Sequence, residues 1–102
     1  MTAAESWLRE RVPGAPAELL ATMIAALPPG DAPAPDGLAA GALALYRRVA
    51  DGSGGREDAL PLLAADALLT HAFEAQAESD PQGLEELAGR WGLRGALGEV
   101  AP

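Results

Sequence analysis

At 102 residues the chain is long enough for one small domain. Its apolar share is 49%, but only 4% is aromatic and much of the rest is alanine. At roughly 25 cal/mol per Å² of buried surface the core is thin, and association with another chain is the natural remedy. The net charge of −8, with seven arginines and no lysine, excludes the basic footprint of a nucleic-acid or anionic-membrane binder, and the absence of cysteine excludes disulfides, thiolate metal sites and cysteine nucleophiles.

The opening "MTAAESWLRERVPG" mixes acids and bases without an apolar stretch, so it is not expected to be a signal peptide. It predicts a first helix from about Ala3 to Arg11. Thr2 and Glu5 have the capping-box spacing, and "VPG" stops the helix. A second helix is predicted from Pro16 to about Leu27, with Leu19, Leu20, Met23, Ile24 and Leu27 on one stripe. "PPGDAPAPDG", residues 28–37, reads as a Pro/Gly-rich connector within a single helical domain spanning 1–102.

Asp36 is then the expected N-cap of a third helix, Gly37 to Ala50, whose stripe is Leu38, Leu45 and Val49. Gly41 and the neighbouring alanines thin one face, so that another helix can approach closely. "DGSGG", Asp51 to Gly55, reads as a flexible stop; it lacks the preceding strand and the lysine of a phosphate-binding loop. The fourth and longest helix is predicted from about Arg56 to Ser79, with Pro61 near its first turn. Asp80-Pro81 opens a fifth helix ending at "GRWG", with Leu84, Leu87, Ala88 and Trp91 on one face. The tail "LRGALGEVAP" adds at most a short turn. Strand signals are nearly absent, so the fold class is all-α, four to five helices in a small bundle-like array.

The chemistry-bearing residues concentrate on the fourth helix. At 100° per residue, Leu62, Ala65, Leu68, Leu69, Ala72 and Phe73 share a broad apolar arc, and Asp66, Thr70, Glu74 and Glu78 form a polar stripe with His71 at its edge. Asp66, His71, Glu74 and Glu78 are the candidate ligand or metal residues, because His71 and Glu74 at i, i+3 can reach one ion. A di-iron bundle site would need Glu-x-x-His on two helices and a second histidine. The bland alternative is a solvated acidic face carrying one His71–Glu74 contact. Catalysis by His71 with a carboxylate would need a pocket and a third group, and the serines lie at element ends where caps and turns account for them. Leu20, Ile24, Leu69, Phe73 and Trp91 are the expected core or interface anchors, with Trp91 largely buried.

"LLAADALLTHAFEAQAE", Leu62 to Glu78, resembles a helix of trans-prenyl diphosphate synthases. In that resemblance Asp66 matches an aspartate of the family's segment and Ala65 replaces its usual glycine. The lead-in "GGREDALPLLAADALLTH" resembles the approach to the family's first aspartate-rich helix. The resemblance implies an all-α fold and, in the family, diphosphate held through magnesium by DDxxD-type motifs. Neither motif is in this chain; in "EAQAE", Glu74 and Glu78 occupy only the outer positions. The resemblance therefore implies a reduced relative or a small partner of such an enzyme.

The reading that follows is a small acidic helical interaction or accessory protein, non-enzymatic and self-associating, with no cofactor. Its partner is itself or another helical protein, with no nucleic acid and no membrane insertion. The alternatives are a metal- or prenyl-diphosphate-binding helical module, or a carrier of a small apolar ligand. The lack of lysine and asparagine beside abundant Ala, Gly, Pro and Arg suggests a GC-rich bacterial source, and a cytoplasmic location is the default expectation.

Overall fold

The computed structural model describes residues 1–92 and 95–100. It is all-α: α1 (Ala3–Arg11), α2 (Ala17–Ala25), α3 (Ala34–Ala50), α4 (Ala59–Ser79) and α5 (Leu84–Trp91), with no strand among the described residues. Short 3-10 turns at Arg56–Asp58 and Pro81–Gly83 lead into α4 and α5, and a third covers Ala96–Glu99. Of the tail, Leu93, Arg94, Ala101 and Pro102 lie outside the described residues.

Local sequence accounts for most helix ends. The Thr2 hydroxyl accepts from the Glu5 N–H at 3.1 Å, satisfying one of the donors a helix start leaves unpaired. Asp80 caps the turn before α5 by accepting from the Gln82 N–H at 3.1 Å. Three starts differ from expectation, and the simplest is α5, which begins at Leu84, behind the Pro81–Gly83 turn, and not at Pro81. Helix α3 begins at Ala34, three residues before the predicted Gly37, with Pro35 inside its first turn, where a missing N–H costs nothing. Asp36 is therefore a first-turn residue and not the N-cap, which leaves its carboxylate free for α5. Helix α4 begins at Ala59 because the expected flexible stop closes on itself. The Gly54 N–H donates to Asp58 Oδ2 at 2.8 Å and the Gly55 N–H donates to Ser53 Oγ at 3.2 Å. Gly54 sits at φ 77°, in the left-handed region that a side chain would disfavour. The Ser53 hydroxyl also donates to Glu57, whose carboxyl is held below its usual range by that bond first and by a backbone hydrogen bond second.

Helices α3 and α4 form the central pair, and α1, α2 and α5 pack around it. The pair is antiparallel: Pro35 shares a groove with Ala75, Gly41 faces Leu68, and Tyr46 bonds Asp66. Its seam is made of small residues. A Cβ on Gly37 would lie 2.9 Å from the Ala4 Cβ, and one on Gly41 would lie 3.1 Å from Leu27 Cδ2 and 3.2 Å from Leu68 Cδ1. The two glycines thus set how closely α1, α2 and α4 approach α3. A single core cluster draws on four helices: Ala4 and Leu8 of α1, Met23 of α2, Leu38, Ala39, Ala42 and Leu45 of α3, and an alanine-rich face of α4 around Leu68. Leu87 of α5 is also fully buried.

That α4 face departs from the predicted arc. The buried residues are Pro61, Ala64, Ala65, Leu68, Ala72 and Ala75. At 100° per residue their centre is rotated by about 60° from the arc centred between Leu68 and Phe73. Close helix approach selects small side chains, so the seam took the alanines and left larger residues on the flank. Leu62 and Leu63 are 42% and 55% exposed.

Candidate functional site

Helix α4 carries the candidate residues, and the structure separates them. Asp66 accepts the hydroxyl of Tyr46 from α3. Burial first, and then this hydrogen bond and the charge of Asp66, push the Tyr46 phenol above its ordinary value. One turn further on, His71 Nδ1 lies 3.2 Å from Glu74 Oε1, the predicted i, i+3 contact. The His71 side chain is only 19% exposed because the Trp7 ring of α1 lies over it, with ring centroids 5.5 Å apart and an interplanar angle of 49°. At the end of the stripe, Glu78 Oε2 accepts from Trp7 Nε1 at 3.4 Å and pairs with Arg11 Nη2 at 3.0 Å.

Asp66, His71, Glu74 and Glu78 therefore serve three separate contacts. Only His71 and Glu74 meet. Among the described residues no three histidine, aspartate or glutamate side chains are grouped to hold a metal ion. The His71–Glu74 pair reproduces the base-and-orienter half of a catalytic arrangement. Among the described residues no hydroxyl hydrogen-bonds to the ring, so what the pair does is join α1 to α4: Trp7 covers one side of the imidazole and Glu74 holds the other. Nothing in the sequence marks Trp7 as a partner of His71. Its pairing with His71 spans helices and leaves no spacing signal.

The predicted anchors sort into two groups. Leu20, Ile24, Leu69 and Trp91 are half-buried and pack against the core cluster. Trp91 is less buried than expected because its Nε1 reaches Asp36 Oδ1, 3.0 Å away. Arg90 reaches the same oxygen from Nε at 3.2 Å and Nη2 at 3.0 Å, so one carboxylate of α3 holds the end of α5. Phe73 forms the second group alone. It is half-buried but stands outside the core, on an open groove of about 770 Å³ between α4 and α5. Ala77, Leu84 and Ala88 complete the apolar wall, and Thr70, Glu74 and Glu85 border it. The i, i+4 pair Leu84 and Ala88 was legible in sequence; what it faces was not.

A second groove, of about 330 Å³, lies beside the exposed end of α4, between Leu60 and the α2 residues Ala21 and Ala25. Its edges carry both signs of charge, Arg48 and Glu18. Among the described residues no helix is long and apolar enough to cross a membrane. No family model, curated protein or solved structure matches the chain.

Proposed function

We propose that the chain is a small, non-catalytic helical interaction or accessory protein that associates with itself through the uncovered end of α4. The observation that carries this reading is the exposure of Leu62 and Leu63, at 42% and 55%, in a chain whose core is built largely from alanine. Two adjacent leucines left in water favour a cover from another molecule. The neighbouring groove supports a copy of the same chain as that cover. Its edges carry Arg48 as well as Glu18, so a second copy could meet them with either sign of charge despite the net charge of −8. The engagement of Asp66, His71 and Glu78 in helix-to-helix contacts supports a binding role over a chemical one.

Sedimentation velocity over a range of concentrations tests the reading. The expected result is a reversible dimer that the double substitution Leu62→Glu, Leu63→Glu converts to a helical monomer. A wild-type chain that stays monomeric at every concentration overturns it.

A further inference from the structure

The α4–α5 groove is a different surface, and its chemistry is not that of a self-contact. Its wall is the sole phenylalanine of the chain, Phe73, with Ala77, Leu84 and Ala88. Among the described residues no arginine borders it, while Glu74 and Glu85 do, both exposed to solvent. The groove is shallow and widely open to solvent. An apolar strip with acids at its edges matches the surface onto which an amphipathic helix lays its apolar face. A second copy of this chain fits poorly, because groove against groove would bring the glutamates of both copies together on an already acidic molecule. Charge complementarity therefore selects the occupant.

We infer that the groove between α4 and α5 binds an amphipathic helix of another protein, with leucine-type anchors toward Phe73 and arginines or lysines toward Glu74 and Glu85. The inference rests on reading the chain as an interaction protein, and it adds a surface apart from Leu62 and Leu63. Apolar contact with Phe73 supplies affinity, and the two carboxylates supply orientation and choice of partner.

The test uses the full chain and two synthetic amphipathic peptides of about four turns, long enough to hold some helix. One carries leucines flanked by arginines and the other carries leucines flanked by glutamates. Binding is read by fluorescence anisotropy and by amide chemical shifts of the labelled protein. The expected result is that only the arginine peptide binds, moving the resonances of Thr70, Ala77 and Ala88. Phe73→Asp should weaken it by about tenfold or more, as should Glu85→Arg, a change on the exposed edge that leaves packing intact. The Leu62→Glu, Leu63→Glu variant should bind the peptide as the wild type does, which separates this surface from the self-association one. Equal binding of both peptides, no binding of either, or indifference to Phe73→Asp and Glu85→Arg overturns the inference. So does movement of the groove resonances with protein concentration alone, which would assign the groove to a second copy.

Discussion

Gly37 and Gly89 are both glycines inside helices, and they differ only in what surrounds them. A Cβ on Gly37 would sit 2.9 Å from the Cβ of Ala4, a rigid stub that cannot swing aside. A Cβ on Gly89 meets nothing within 4 Å. Alanine gains up to about 1 kcal/mol over glycine from helix propensity alone. At Gly89 that gain stands, so Gly89→Ala should stabilise the protein by about 0.5 kcal/mol. At Gly37 the overpacking cost of roughly 1–3 kcal/mol outweighs it, so Gly37→Ala should destabilise. Urea denaturation of the two variants checks both signs. Tyr46 offers a residue-scale test of a different kind, since it is the only tyrosine and the chain has no lysine or cysteine to titrate beside it. Its pKa is raised on folding, so the folded state resists losing the proton. The stability this provides is intact below the ordinary tyrosine value of 10.0 and declines as pH rises beyond it, where the unfolded chain ionises first. Tyrosinate absorbance should therefore appear together with loss of helical signal, and Tyr46→Phe should remove that part of the alkaline sensitivity.

Among the helices, α5 is the one most dependent on a single contact. It has eight residues, too short to persist alone, and apart from Leu87 it presents only half-buried apolar side chains. The Asp36 carboxylate gathers Arg90 and Trp91 and ties the helix end to α3. Both charged partners are partly solvated, so the bond to the Trp91 indole and the shared geometry count for more than the ion pair. Asp36→Ala should cost about 1–2 kcal/mol, accelerate amide exchange in α5 ahead of α3 and α4, and shift Trp91 emission to the red. Helix α4 illustrates what was and was not legible in sequence. Its length, its polar stripe and the His71–Glu74 contact follow from residue spacing. The orientation of its apolar face does not, because leucine and alanine both score as apolar and only the distance to α3 decides between them.

For the molecule as a whole, the radius of gyration of 13.0 Å is what a compact chain of this length should have, about 13 Å. Compactness is reached with a core in which alanine outnumbers leucine, so the folding margin is small. Leu68, fully buried among those alanines, should cost about 2–5 kcal/mol when cut to alanine, a loss large enough to unfold much of the population. If a second copy covers Leu62 and Leu63, mass action adds stability with concentration. The melting temperature should then rise as the protein is concentrated, and Leu62→Glu, Leu63→Glu should abolish that rise. Calorimetry at several concentrations would detect it.

The amino-acid sequence by itself determined the helices, their order, the Thr2 and Asp80 caps and the exclusion of thiol chemistry, because these depend on neighbours a few residues apart and on composition. Only the tertiary structure decided which apolar residues form the core, which remain on the surface, and which carboxylates are occupied. Packing distance is a property of two helices at once: α4 meets α3 through alanines and through Leu68, which fits against Gly41, while Leu62 and Leu63 stay on the surface. For the same reason Asp66, Glu78 and Asp36, each read as part of one helix, are committed to tyrosine, tryptophan and arginine partners on others. Phe73, read as a core or interface anchor, stands outside the core on the open groove between α4 and α5.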